Sequence, residues 1–415
     1  MQRLILHCDI NNCFASIEAV LNPSLRGKAI AVCGSQAERH GIVLAKSEAA
    51  KRYGVKTGEV IWQAKRKCPN LLIVAPHYDA YLHYSKEVRK IYESYTNQVE
   101  SFGLDECWLD LSQSLALLNQ RSGSEIAYEI KERVKRELGF TLSIGVSFNK
   151  VFAKLASDLK KPDAVTLIRK EEFKSIVWPL DVSLLLGVGR STCEKLKFYA
   201  IHSIGDLARS PAQLLKRILG KNGSTLWINA NGLDSSPVLY NHTPIPHKSM
   251  GHGQTFAADL VSLDEVRCAL LFLAQHLSQR LRDNETRASG VQLTIRDSAL
   301  VFKQFQERLA QPSQSAALIA KTAFKLFSTY YLWQKNVRAL TITVYELSST
   351  ALPLQGSLFA DRESIAKNEA LEKSIYDIRQ RFGKRSILPA SILSSKKLSS
   401  PLPQGIGPPT HSWKS

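Results

Sequence analysis

Residues 99–111, VESFGLDECWLDL, alternate apolar and polar side chains around Gly103 and carry the adjacent acids Asp105 and Glu106. Alternation of this kind gives a half-buried strand, and the glycine lets the strand bend or return as a hairpin. Residues 4–8 form a short apolar run that ends at Asp9, so they read as a buried strand with a carboxylate at its end. Adjacent strand residues face opposite ways. Asp105 and Glu106 can therefore share one site only if the strand bends beside Gly103. Gathered on one sheet, the three acids could hold two Mg²⁺ ions, because magnesium takes hard oxygen ligands and leaves positions for substrate phosphates. Two such ions about 3.5–4 Å apart activate an attacking hydroxyl and stabilise the leaving oxygen. Taken alone, an Asp-Glu pair reads as readily as a turn.

The first 165 residues mix strands and helices around one apolar core. Helices are expected over 14–21, over 43–53 (ended by Gly54), over 124–138 with Ser124 as N-cap, and over 150–159 before Lys161-Pro162. Strands are expected over 29–33 and 141–147. Residues 170–235 read as all-helical, with the turn Gly187-Val188-Gly189 between two short helical stretches. Residues 245–347 run β-α-β-β-α-β, the split ferredoxin-like order. Their parts are a weak strand near 248–257, a helix over 263–282, strands over 290–296 and 300–306, a helix over 316–330 and a strand over 338–345. Residues 367–382 read as a short amphipathic helix with no assignable partner. The chain from 386 onward is rich in Ser, Pro and Gly and reads as disordered.

Charge narrows the partners. Lys and Arg number 55 against 37 Asp and Glu, a net charge of +18. Such an excess points to a polyanion, nucleic acid before an anionic membrane surface. The seven cysteines are odd in number and show no CxxC spacing. That speaks against a disulfide framework or an ordinary zinc finger and suits a reducing cytoplasm. No run approaches 18 apolar residues, so neither membrane spanning nor secretion is expected.

Several stretches, in order, then carry a resemblance: HCDINNCFASIEAVLNP, VLAKSEAAKRYGVKTGE, GLDECWLDL, IGVSFNKVFAKLASDLKKPD and the Leu-Gly-Val-Gly turn. Over about residues 3–345 the chain resembles the Y-family (translesion) DNA polymerases. Within that family it looks closest to the branch of the DNA polymerase V catalytic subunit and the Gram-positive UV-damage repair proteins. The resemblance implies an α+β multidomain right-hand polymerase: palm over 1–10 and 77–166, small fingers over 11–76, a thumb with a helix-hairpin-helix over 167–236, a ferredoxin-like little finger over 243–347 and a tail over 348–415. It implies template-directed, low-fidelity synthesis past lesions on primer-template DNA from dNTPs, with two Mg²⁺, and a role in the DNA-damage response.

The resemblance also assigns residues. Asp9, Asp105, Glu106 and the Ile10 carbonyl match its metal ligands, and Asp105 and Glu106 its catalytic pair. Phe14 matches a steric gate, whose ring leaves no room for the 2′-hydroxyl that separates ribose from deoxyribose. The backbone of Asn12, Cys13, Phe14 and Ala15, at a helix start, would cradle the triphosphate with Lys161, Lys51 and Arg52. Lys150, Lys154, Gly187, Gly189, Arg190, Lys248, Arg296 and Arg338 would meet the DNA backbone, giving salt-dependent binding. Gln355, Leu358 and Phe359 resemble the short motif by which bacterial polymerases bind the sliding clamp. The chain departs from many relatives at Asn11, Cys13, Glu48 and Gly103. The rival readings are a non-catalytic DNA-binding factor on the same fold and a metal-dependent nuclease; the intact acids oppose the first.

Overall fold

The computed structural model describes residues 3–35, 39, 41–115, 121–243, 246–353, 362–383 and 386–393. The main division of the chain falls between Pro244 and Ile245, giving two compact units.

The strands of the first unit are β1 (Ile5–Ile10), β2 (Ile30–Cys33), β3 (Val43–Lys46), β4 (Leu72–Val74), β5 (Val99–Ser101), β6 (Glu106–Asp110), β7 (Leu142–Ser147) and β8 (Val165–Leu167). A five-stranded sheet runs β5-β6-β1-β7-β8 and a three-stranded sheet runs β3-β2-β4. All six residues of β1 are buried, because both faces of the larger sheet are covered. Leu6, Cys8 and Ile10 pack with the helices Tyr78–Glu93 and Gly123–Leu138 through residues such as Tyr81, Tyr92, Ile126 and Ile130. Ile5 turns the other way onto Trp108 and Ala153, the latter on the helix Lys150–Leu159. Period-two alternation thus sends Ile5, His7 and Asp9 to a single face.

Residues 99–111 form a hairpin. The antiparallel strands β5 and β6 are joined by a bend in which Gly103 takes φ 101°. A helix over 43–53 is not found. Val43–Lys46 is strand β3, paired antiparallel with β2, and the helix begins only at Glu48 behind an Ser47 cap that accepts from the Ala50 N–H. The β-branched Val43 and the capping Ser47 account for the break. The cap of the helix Gly123–Leu138 is Ser122, in a capping box with Glu125, and not Ser124. Residues 173–230 fold as short helices around Leu196, Ile204, Leu207, Leu215 and Leu226.

The second unit holds β9 (Ser249–Leu260), β10 (Thr286–Asp297), β11 (Phe302–Ser313) and β12 (Val337–Ser349) in the order β11-β10-β12-β9, all antiparallel. The helices Leu263–Asp283 and Ala316–Tyr330 pack on the face that carries Val291, Leu293, Ile295, Leu340, Ile342 and Val344. The β-α-β-β-α-β order stands, with strands longer than the sequence suggested. The helix Arg362–Phe382 finds its partner in this unit. Glu372 accepts from Ser315 Oγ at 2.7 Å and from the N–H groups of Ala316 and Ala317 at 3.1 and 3.2 Å, satisfying the start of a neighbouring helix. The serine- and proline-rich segment from 394 onward lies outside the described residues.

Gly145 fixes how close helix Lys150–Leu159 lies to β7: a Cβ there would meet the Ala153 carbonyl and the Ser157 N–H. Gly145→Ala should cost about 1–3 kcal/mol through overpacking, read as a lower urea midpoint for the first unit. An unchanged midpoint would contradict this packing.

Candidate active site

Antiparallel pairing of β1 with β6 sets Asp9 opposite Glu106. Directly opposed residues leave the sheet on the same side, so the two carboxylates share a face. Asp105 lies just before β6, in the bend, and escapes strand alternation. Its carbonyl accepts from the Ile10 N–H at 3.0 Å, which ties the end of β1 to the turn. The bend that a shared site required is therefore present.

The acids sit among cations. Lys161 Nζ donates to Asp9 Oδ2 at 2.5 Å and lies 2.8 Å from Asp158 Oδ1. Lys154 Nζ is 2.7 Å from Glu106 Oε2 and 3.7 Å from Asp158 Oδ2. The Glu106 oxygen makes this ion pair without the angle of a hydrogen bond. Burial, with the charge of Glu106, pushes Asp9 up to about 6 even against Lys161. Burial, then Asp9 and Glu106, push Asp105 up to about 6. Burial alone would lower Lys161, but Asp9 and Asp158 outweigh it and hold the ammonium above its usual range.

His7 stands behind the site. Its Nδ1 is 2.9 Å from Ser157 Oγ, and its Nε2 is 3.3 Å from Glu106 Oε2. Burial, reinforced by Lys154, lowers it to about 3, so it is a neutral neighbour of the carboxylate. The sequence reading did not place His7, Ser157 or Asp158 here and gave Lys154 to DNA. The spacing of Lys150, Lys154 and Asp158 at i, i+4 and i+8, with Lys161 beyond, puts them on one helix edge and was the available signal.

The donor set fits magnesium: three carboxylates and the last residue of β1, Ile10, on neighbouring strand ends, with an under-partnered buried oxygen on Glu106. Among the described residues, no group of three or more such side chains is closed tightly enough to grip an ion by itself. Lys154 and Lys161 hold two of the acids instead.

The other expected residues fall as follows. Asn12 takes φ 51° at the start of the helix Cys13–Leu21, and its side chain donates to Glu48 Oε1 at 3.0 Å. Asn11 is buried, with its amide donating to Thr141 and its carbonyl accepting from Ser143, so it offers nothing to a metal. Phe14 stacks on Tyr81 at 4.1 Å between centroids and meets Tyr78 edge-on at 6.0 Å. The Tyr81 hydroxyl is tied to Glu18. Cys13 and Ala15, on either side of Phe14 in the sequence, are buried. Lys51, 3.5 Å from Glu48, and Arg52 are exposed.

Lys150 is not a free cation: Glu100 takes it at 2.7 Å, and it lies 4.5 Å from the Trp108 ring centroid. Gly187 has φ 92°, Gly189 caps the helix Arg190–Phe198, and Arg190 is exposed and paired with Glu194. In the second unit Lys248 is exposed, Arg296 lies over the Phe302 ring, and Arg338 lies in β12 beside an irregular register step. Gln355, Leu358 and Phe359 lie outside the described residues. Among those described, no helix is long and apolar enough to cross a membrane.

Comparison with known proteins places the chain in a family. Residues 8–158 match the model of the impB/mucB/samB family, and residues 247–358 match that family's C-terminal domain. The chain is 48% identical to a DNA polymerase IV of Acetivibrio thermocellus, over 96% of this chain and 99% of that one. It is 36% identical to DNA polymerase IV 1 of Bacillus subtilis, over 95% of this chain and 94% of that one. A solved Y-family DNA polymerase chimera shares the fold, with a TM-score of 0.73 at 21% identity, over 83% of this chain and 99% of that one. The chain belongs to the impB/mucB/samB family, the Y-family translesion DNA polymerases. It is a DNA-directed DNA polymerase whose C-terminal unit fits a little finger. These relatives carry the name DNA polymerase IV, whereas the motifs had pointed to the polymerase V branch.

The raised carboxyls carry a pH signature. In the metal-free chain, Asp9 and Asp105 hold protons between about pH 4 and 6 that the unfolded chain has released. They therefore lower stability as pH rises through that window. Asp105→Asn should raise the melting temperature of the chelator-treated protein at pH 7.5 by a few degrees, and raise it less at pH 5. An Asn variant no more stable than wild type at pH 7.5 would contradict the charge crowding.

Proposed function

We propose that this chain copies damaged templates with low fidelity by metal-assisted nucleotidyl transfer from dNTPs to a primer 3′-OH. The observation that carries the reading is the register of Asp9 opposite Glu106, with Asp105 in the adjoining bend. Asp9, Asp105, Glu106 and the Ile10 carbonyl would hold two Mg²⁺. Such a pair, when bound, eases deprotonation of the primer hydroxyl and stabilises the departing pyrophosphate.

The chain's own residues do the rest. Lys161 reaches the edge of the site from the Asp9 side and is held protonated, so it supplies a permanent positive charge for the triphosphate. The free N–H groups of the first turn of Cys13–Leu21 add donors for phosphate oxygens. Phe14 acts as the sugar gate. Its stack on Tyr81, itself anchored to Glu18, keeps the ring from yielding to a 2′-hydroxyl. On this reading residues 1–10 and 77–166 are the palm, 11–76 the fingers and 167–236 the thumb. The exposed Arg190 beside the Gly187–Gly189 turn meets DNA phosphate. Residues Gln355, Leu358 and Phe359 dock a sliding clamp.

Primer extension tests the site. Asp105→Ala and Glu106→Ala should each cut extension by about a thousandfold or more while primer-template affinity stays within about twofold. Phe14→Ala should admit ribonucleotides. Normal extension by either acid variant, or unchanged sugar selection by the Phe14 variant, would overturn the corresponding assignment.

A further inference from the structure

The turn that carries Lys161 is fastened at its far end by an interaction outside the catalytic cluster. This turn, residues 160–164, joins the helix Lys150–Leu159 to β8. Asp163 lies in it two residues after Lys161 and takes φ 55°, a left-handed conformation that few side chains besides Asn and Asp adopt. Lys131, on the helix Gly123–Leu138, donates to Asp163 Oδ1 at 3.0 Å and to the Asp163 carbonyl at 3.3 Å. Lys135, one turn further along, donates to Asp163 Oδ2 at 3.1 Å. Side chain and main chain of one residue are thus gripped together.

Lys131 is only 9% exposed, whereas Lys135 is 48% exposed. Burying an ammonium is expensive unless its partners are fixed. Lys131 is also 3.1 Å from Glu132, but that carboxylate is mostly in solvent. Asp163 is the buried lysine's less exposed acidic partner, at 28% against 57%.

We infer that Lys131, aided by Lys135, is a positioning residue for nucleotide binding. It pins Asp163 so that the short turn delivers Lys161 Nζ to the edge of the site, between Asp9 and Asp158. The inference rests on the reading of Lys161 as a triphosphate-binding residue. With the latch released, the turn can relax and the ammonium loses its fixed place. A misplacement of about 1 Å can cost about a hundredfold in rate, and a displaced ammonium also gives up part of its hold on a bound phosphate.

The test uses the full-length chain on a primer-template with a dideoxy-terminated primer and measures the affinity for the next correct dNTP. Lys131→Met should weaken dNTP binding about tenfold, with primer-template affinity unchanged. Lys135→Met should weaken it less. Lys161→Ala should weaken it as well, and adding Lys131→Met to that variant should bring no further loss, because the two act as one unit. Lys131→Arg should restore part of the affinity. Wild-type dNTP affinity in Lys131→Met beside a weakened Lys161→Ala would overturn the latch and leave the Lys161 reading intact. Losses that multiply in the double variant would also overturn it. Unchanged affinity in Lys161→Ala would overturn the Lys161 reading itself. If Lys131→Met does not fold, Asp163→Asn removes the charge and keeps a side chain suited to φ 55°; it should reproduce the loss, and wild-type affinity there would count against the latch.

Discussion

The acidic site of the first unit depends on the antiparallel pairing of β1 with β6. The pairing is a sheet register, fixed by apolar residues on both faces, yet its outcome is electrostatic. It sets Asp9 beside Glu106 and draws the bend with Asp105 against the end of β1. Carboxylates gathered in a partly buried site repel one another and resist ionising together. A fold that forces such neighbours into a partly buried site must supply positive charge nearby. It does so with the helix Lys150–Leu159 and the turn after it, which bring Lys154 and Lys161 to the acids. Gly145 is what allows that helix to come so close.

The same arrangement explains why a strongly basic chain carries a local acidic pocket. A few of its lysines are committed to carboxylates around the site. Lys150, Lys154 and Lys161 belong to this group, and each is taken by a named carboxylate. In the function we propose, the acids take hard cations, the fixed ammonium and the helix start take phosphate, and the aromatic ring of Phe14 meets the sugar.

Much of this was legible in the sequence. The strand ending at Asp9, the bend at Gly103 and the two long helices of the second unit all follow from periodicity and turn chemistry. Three things were not. Val43–Lys46 is strand, because pairing with β2 overrode a helical pattern. The start of the helix at Gly123 was misread by two residues, because two serines compete as caps and only Ser122 has Glu125 at the spacing of a capping box. The partners of Lys150 and Lys154, Glu100 and Glu106, lie 50 and 48 positions away along the chain, so no local pattern reports them. Basic residues on a helix look alike in sequence whether they face a phosphate or a buried acid.

In the proposed function, the acids at the ends of β1 and β6 are a cation site built by register. The most direct measurement counts Mn²⁺ ions by electron paramagnetic resonance on the full-length chain, bound to a dideoxy-terminated primer-template and its matching dNTP. Two tightly bound ions are expected in the wild type, with the loss of at least one in Glu106→Gln. A wild-type complex that holds no more Mn²⁺ than its DNA and dNTP carry alone, or a Glu106→Gln complex that holds as many as wild type, would contradict the proposed site.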